Sequence, residues 1–424
     1  MLTYDDLVND LASGCKPRAL WRIGVEHEQF AFDKKTGGPL AYEGRPGIRE
    51  LLEVFSQKCG WEEIREGETL IALRKDYQTL TLEPGGQVEF SGSPLPTLRE
   101  VRGEMDSFYK NLNEIASCLG IGLVSMGVPP EWRRADMHWM PKERYAIMRP
   151  YMEKKGNLGV DMMARTCGAQ VNLDFSSEAD MVKKFRVALA LQPLMVALMA
   201  NSSRLEGAPS GYASYRAHIW TDTDPDRCGF LPFVFDEGMS FARYVDYALD
   251  VPMYFIRRGG RYIDVAGQSF RAFMDGKLSG HEGEYPSFED WHDHFSTLFP
   301  DVRLKHYLEM RGPDSNPPDM VYAMAAFWTG LLYDSAALEQ AYQAVMHWPM
   351  DTHAALRTES VKHGMEARVR CGDDADMYAL ARSMLTLAQT GLLNSDREKT
   401  SRDLLEPLWK KADSKNLLGI SRAI

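Results

Sequence analysis

Acidic side chains set inside apolar, strand-forming sequence constrain this chain more than any other feature. They occur in Gly24-Val25-Glu26-His27-Glu28 and again in Thr81-Leu82-Glu83-Pro84-Gly85-Gly86-Gln87-Val88-Glu89-Phe90. Side chains of a strand alternate faces, so Glu26 and Glu28 share one face with Cβ atoms roughly 7 Å apart. Residues 74–92 read as a hairpin, with strands at 78–82 and 87–90 around Pro84-Gly85-Gly86, and they bring in Glu83 and Glu89. A water-facing amphipathic strand would explain one such pair. Its recurrence argues instead for a carboxylate patch on a sheet face, and such a patch needs cations. Hard oxygen ligands without a Cys or His cluster suit Mg²⁺, or Mn²⁺, and Mg²⁺ usually shares its shell with substrate phosphates.

The surroundings suit small-molecule chemistry. A chain of 424 residues with 44% hydrophobic residues can bury a large core. Its net charge of -11 argues against a nucleic-acid surface, so a charged substrate requires a locally basic pocket. Met1-Leu2-Thr3-Tyr4-Asp5-Asp6 carries acids where a targeting peptide carries bases, which sets the expectation of a cytoplasmic protein. The most apolar stretch, 187–200, contains Gln192-Pro193 and is short of the roughly twenty residues a membrane helix needs; it reads as a buried helix kinked at Pro193. Six cysteines without C-x-x-C spacing predict reduced thiols and no obligatory disulfide.

Helical periodicity is clearest over 97–120, where Leu98, Val101, Met105, Phe108, Leu112, Ile115 and Leu119 recur every three or four residues behind a Thr97/Glu100 capping pattern. Further helices are expected over 2–12, 47–59 and 177–201, and from about 318 onward the chain reads as mostly helical, ending in a polar, basic tail from Lys410. Strands are expected at 22–32, 122–127, 168–175, 253–257, 261–265 and 303–310. Without a βαβ rhythm or an internal linker, the pattern predicts an α+β fold with an antiparallel sheet, as one catalytic domain over 1–424.

Phosphate loops, G-x-G-x-x-G after a strand, G-x-S-x-G and H-E-x-x-H are missing from the sequence, so ATP, if bound, is not held by a P-loop. His292 and His294 read as part of a surface helix. Gln170, Asn172 and Asp174 share one face of a strand and can ligate a metal, hydrogen-bond a phosphate or form a buried amide network. Glu309 and Arg311 lie side by side on another strand, as a salt-bridge ladder or as the Arg beside a metal carboxylate that phosphoryl transfer uses. Arg144, Arg149, Arg165 and Arg216 are candidates for binding a substrate carboxylate, with Tyr145 or Trp220 as pocket walls.

Gly24 to Glu28, Thr81 to Ser91, Met162-Met163-Ala164-Arg165-Thr166-Cys167, Gln170 to Phe175, Trp220-Thr221-Asp222-Thr223-Asp224, Leu231-Pro232-Phe233-Val234-Phe235 and Glu309-Met310-Arg311-Gly312 together resemble glutamate–cysteine ligase of the plant and proteobacterial type, from about residue 21 to 334. The resemblance implies a glutamine-synthetase-like fold whose curved antiparallel sheet forms a funnel surrounded by helices. It also implies ATP- and Mg²⁺-dependent joining of the L-glutamate γ-carboxylate to the L-cysteine amine through a γ-glutamyl phosphate, the first step of glutathione synthesis. By its pattern Glu26, Glu28, Glu83, Glu89, Gln170 and Glu309 would hold Mg²⁺. Arg311 would contact the ATP phosphates, with Gln170 and Asn172 beside it, and Arg216 would take the glutamate carboxylate. Glu28 and Arg311 would carry catalysis.

Val265, Gly280 and Tyr322 stand where the resemblance would place three regulatory cysteines of the plant enzymes, which speaks against plant-style redox switching and a disulfide-linked dimer. A bacterial cytosolic enzyme, monomeric or homodimeric, is the expectation. The rivals are another carboxylate–amine ligase or a guanidino kinase of the same architecture, and a non-catalytic binding protein that would have lost several of these acids.

Overall fold

The computed structural model describes residues 1–395 and 403–421. A nine-stranded antiparallel sheet organises the chain: β1 (Ile23–Asp33), β2 (Glu62–Glu66), β3 (Thr69–Lys75), β4 (Gln78–Leu82), β5 (Val88–Ser91), β6 (Ile121–Val124), β7 (Ala169–Leu173), β8 (Val302–Leu304) and β9 (Leu308–Met310). Their order is β8-β9-β7-β1-β5-β4-β3-β2. The long β1 is the hub: its first half pairs with β7 and β5, and its second half pairs with β6.

Register sorts the sheet into a polar and an apolar face. Val25 opposes Val171, His27 opposes Phe90 and Ala169, and Met310 opposes Val171, so one face is continuous hydrophobic surface. Onto it packs the helix Leu98–Cys118, whose Phe108 ring stacks on Phe90 with centroids 3.9 Å apart. Thr97 caps that helix by accepting from the Glu100 N–H at 3.2 Å, as the sequence pattern predicts. Glu178–Leu198 and Pro318–Tyr333 cover the same side. The former stays helical through Pro193, and its residues from Val187 to Leu198 are buried all round. One hydrophobic cluster runs from Leu7 to Ala412.

Beyond 318 the chain forms the helices Pro318–Tyr333, Ser335–Val345, Met350–His363, Met377–Asn394 and Glu406–Ser421. The basic tail from Lys410 begins inside the last of these, and its final three residues lie outside the described ones. All six cysteines are free. Among the described residues no helix is long and apolar enough to cross a membrane.

Two expectations change. Residues 303–310 form a hairpin rather than one strand, because the chain turns at 305–307, where the Lys305 N–H donates to the Tyr307 carbonyl at 2.8 Å. Arg311 consequently follows the last strand instead of lying within it. The β2–β3 hairpin was hidden from periodicity by its charges, which an edge strand keeps in water.

Candidate active site

The polar face of the sheet gathers most of the acidic residues singled out in the sequence. Glu28 opposes Glu89 across β1–β5, Glu89 opposes Thr81 across β4–β5, and Glu26 opposes Gln170 across β1–β7. Directly opposed residues project to the same side. Asn172 opposes Gly24 and Glu309, and Glu309 opposes Arg303, which extends the polar row to the β8 edge. Glu83 follows β4 on a turn closed by Gly86 N–H to Glu83 carbonyl at 3.0 Å. A Cβ at Gly85 would lie 2.1 Å from the Ala164 carbonyl oxygen, so only glycine lets this turn seat against the helix Gly159–Arg165. Gln87 fastens the turn there, donating to the Met163 and Thr166 carbonyls at 3.2 and 2.9 Å.

Within this row the carboxylates are crowded and incompletely satisfied. Glu28 accepts from Gln170 Nε2 and from the Gly168 N–H, both at 2.8 Å, and Glu26 accepts from Asn172 Nδ2 at 2.8 Å. Burial pushes the Glu28 carboxyl up, with Arg216 and the Gln170 bond pulling back and Glu83 adding to the rise. Glu89 is raised well above the usual range by burial and then by the charges of Glu83, Glu26 and Glu28. The amide oxygens of Gln170 and Asn172 are buried without a hydrogen-bond partner. Mutually repelling carboxylates beside orphaned oxygen acceptors fit a hard divalent cation. No three His, Cys, Asp or Glu side chains among the described residues converge on one ion, so the amide oxygens, water or a phosphate would complete its shell.

A cavity of about 610 Å³, its open mouth included, lies over Glu28 and Glu83 and is walled by Arg144, Tyr145, Arg216, Trp220, Phe299 and Arg311. Arg216 is 2% exposed and held from within: its side chain donates to the Gly312 carbonyl at 2.7 Å, and its backbone N–H donates to Ser202 Oγ at 3.2 Å. A Cβ at Gly168 would come within 2.4 Å of its guanidinium, so that glycine makes room for it. Arg311 lies 5.8 Å from the Trp220 ring centre and 5.6 Å from that of Phe299, and pairs with Glu309 at 3.3 Å. Tyr145 donates its hydroxyl to the Leu82 carbonyl at 3.0 Å, while Arg144 Nε is buried without a partner.

Three candidates occupy different settings. Arg165 is absent from the cavity wall because its guanidinium is committed to Asp161 at 2.6 Å and Glu206 at 2.7 Å. Glu309 is fully buried and grips Arg303 at 2.5 and 2.9 Å; although burial raises it, Arg303, Lys305 and Arg311 overcome that and hold the carboxyl far below the usual range. It is the anchor of a basic cluster rather than a free ligand. Asp174, beyond the end of β7, pairs with Lys16 at 2.6 Å. His292 and His294 fall on the helix Phe288–Phe295, His292 exposed and His294 buried.

Sequence reasoning passed over Lys142, which is half-buried, sits 5.7 Å from the Tyr145 ring centre and feels the charges of Glu83 and Glu89; burial lowers its ammonium. It also missed Phe299 and the Met148, Met162 and Met163 lining. A lone lysine in a polar loop and an aromatic on a two-residue strand carry no periodic signal.

Comparison with known proteins places this geometry in context. A family model described as glutamate-cysteine ligase family 2 matches residues 22–423. The chain is 50% identical to a chloroplastic glutamate–cysteine ligase of Nicotiana tabacum and 49% identical to that of Arabidopsis thaliana, covering 92% of this chain and 74% of each relative. It is 48% identical to chloroplastic glutamate–cysteine ligase B of Oryza sativa subsp. japonica, over 92% of this chain and 78% of the relative. A crystal structure of glutamate–cysteine ligase from Francisella tularensis in complex with AMP shares the fold, with a TM-score of 0.54 at 12% identity over 95% of this chain and 82% of that one. The expectation of a cytoplasmic protein is not upheld, because the plant relatives are named as chloroplastic enzymes.

Proposed function

The chain belongs to glutamate–cysteine ligase family 2, a family of ATP-dependent ligases whose reaction opens glutathione synthesis, and we propose that the polar sheet face and the cavity above it are where this chain carries out that reaction. The observation that supports the site most directly is the row of Glu26, Glu28 and Glu89, with Glu83 at its lip and two orphaned amide oxygens, under a cavity walled by Arg216 and Arg311. In this reading the sheet is the wall of a glutamine-synthetase-like funnel, and the chain works as one catalytic domain.

Arg216 receives the glutamate carboxylate not undergoing reaction, with Arg144 as a second donor and Trp220 and Tyr145 as walls. Fixing that end aims the γ-carboxylate at the terminal phosphate of ATP, replacing a bimolecular encounter with a held geometry. Arg311, kept in place by Glu309 and the rings of Trp220 and Phe299, stabilises the charge that spreads over the phosphoryl group as the carboxylate oxygen bonds to phosphorus and ADP departs. Mg²⁺, held by Glu26, Glu28, Glu83 and Glu89 with the oxygens of Gln170 and Asn172, would supply neutralisation and orientation of the triphosphate. The cysteine nitrogen then bonds to the acyl carbon, inorganic phosphate leaves, and the amine loses its proton to solvent. The apolar lining of Met148, Met162 and Met163 keeps water from the acyl phosphate.

ADP release tests the proposal directly. Purified protein with ATP, Mg²⁺ and glutamate is assayed with cysteine and, separately, with a panel of other amines. Cysteine-dependent release yielding γ-glutamylcysteine is expected. Release with another amine alone would change the acceptor, and no release with any amine would refute the enzyme.

A further inference from the structure

Behind Arg216 lies Asp314, a carboxylate that no step above uses. It is fully buried, and it lines neither the cavity over Glu28 and Glu83 nor the one of about 480 Å³, its opening included, where Gln192 and Phe299 meet beside it. Its Oδ1 accepts from the Ser214 hydroxyl at 2.6 Å, and its Oδ2 accepts from the Ser202 hydroxyl at 2.6 Å and from the Asn201 N–H at 2.7 Å. Gly127 makes room for it, since a Cβ there would come within 2.4 Å of the Asp314 Cγ.

A hydroxyl carries one proton, so each serine that donates to Asp314 turns only lone pairs toward the rest of the chain. Those lone pairs are used. Ser214 Oγ accepts the Ala217 N–H at 3.0 Å and caps the helix Tyr215–Ile219, while Ser202 Oγ accepts the Arg216 N–H at 3.2 Å. Two relays therefore run from one carboxylate to consecutive backbone amides, one of them that of Arg216 itself. Only a group that accepts and never donates can end both relays: an amide at 314 would offer an N–H to one oxygen, which would have to turn its own proton away from the position it now serves.

Charge gives Asp314 a second part. Burial lowers the Arg216 guanidinium, Glu28 and then Asp314 oppose that effect, and Arg311 adds to it. Burial raises the Asp314 carboxyl in turn, and Ser202, Ser214 and Arg216 pull it back. Glu28 belongs to the acidic row, so Asp314 is the counter-charge that stays with Arg216 when a cation engages Glu28.

We propose that Asp314 is the positioning residue for Arg216: through Ser202 and Ser214 it fixes the backbone from which that side chain reaches the cavity, and it balances the guanidinium inside the buried wall. The inference rests on the ligase reading above only for what Arg216 does there.

Asp314→Asn keeps the shape, removes the charge and puts a donor where three donors converge. In the full-length enzyme it is compared with wild type, with Arg216→Ala and with the double variant. The expected result is a rise of at least about tenfold in glutamate KM with ATP KM within roughly twofold, and little further rise when Asp314→Asn is added to Arg216→Ala, because residues acting as one unit are not additive. A glutamate KM left unchanged, or effects that multiply in the double variant as those of two separate sites would, overturns the proposal. If Asp314→Asn fails to fold, Ser202→Ala and Ser214→Ala each cut one relay with the carboxylate kept, and are read in the same way. Deuterium exchange follows the relays without any substrate: the Arg216 and Ala217 amides should exchange at least about tenfold faster in the variant, while the amides pairing β1 with β7 keep their wild-type rates. Unchanged exchange at both amides overturns the proposal whatever the kinetics show. Wild-type protein that turns over no substrate defeats the ligase reading alone, and exchange then decides the role of Asp314.

Discussion

Glu28 and Glu89 stand directly opposite one another on the neighbouring antiparallel strands β1 and β5, both half-buried, with Glu83 and Glu26 close enough to raise Glu89 further. Opposed like charges destabilise a sheet, so this pairing lowers the stability of the metal-free protein. Glu89→Gln is therefore expected to raise its Tm by roughly 2 °C or more, and to shrink the additional shift given by Mg²⁺. Thermal unfolding in chelator and in excess Mg²⁺ checks both. An unchanged or lower Tm in chelator would show that the carboxylates do not strain one another.

Glu28→Gln keeps the shape of a side chain that accepts from Gln170 and Gly168 while removing its charge. Turnover should fall by roughly 10²–10³ or more with the far-UV spectrum unchanged. Near-normal activity would take Glu28 out of the chemistry.

Arg311→Ala tests the division of labour between the two wall arginines. If Arg311 acts on the phosphoryl group and Arg216 on glutamate, Arg311→Ala lowers kcat by roughly 10²–10³ and leaves glutamate KM within a few fold, whereas Arg216→Ala raises glutamate KM first. A change in glutamate KM alone for Arg311→Ala would move it to substrate binding.

The acids of this site were legible because β1 and the β4–β5 hairpin are regular: alternation puts Glu26 and Glu28 on one face of β1, and the register sets Glu89 opposite Glu28. Thr97 announced its helix by the same local logic, capping through its own side chain. What failed depends on tertiary pairing. The turn at 305–307 folds β8 back on β9 and gives Glu309 a buried guanidinium partner, Arg303, that no spacing rule connects to it. Arg165 resembled a substrate ligand until Glu206, far along the chain, arrived beside it. Phe299 and Gln192 reach the cavities from separate elements, so their meeting is a property of the fold rather than of any local pattern.

Arg303 and Glu309 form the buried pair beneath Arg311, so removing one partner leaves an uncompensated charge. Arg303→Met should destabilise the protein by about 3–5 kcal/mol in urea titration and shift Glu309 onto its remaining partners, Lys305 and Arg311. The double variant Arg303→Met/Glu309→Leu should recover much of that stability without recovering activity. A single variant within about 1 kcal/mol of wild type would show that the pair is exposed to water in solution.

His27 links the underside of the site to the core: its Nδ1 meets the Tyr109 hydroxyl and its Nε2 lies 2.9 Å from Ser315 Oγ, which donates to the Glu28 carbonyl at 2.6 Å. Burial pushes its imidazole down to about 4 from an ordinary 6.5, and His294 is likewise pushed down to about 4 by burial. Below pH 6.5 the unfolded chain takes up protons that the folded chain refuses, so stability falls with pH until about 4, by up to roughly 3 kcal/mol per histidine. Glu28 and Glu89 work in the opposite direction, because raised carboxyls gain relief as protonation removes their repulsion. The wild-type profile is the sum of both, and the difference from His27→Gln isolates the imidazole. Urea midpoints of wild type and variant should differ at pH 7.5 and converge toward pH 5, as the wild type loses the histidine's share and the variant does not. Parallel profiles would mean that His27 is protonated equally in both states, and that its contact with Tyr109 opens to solvent.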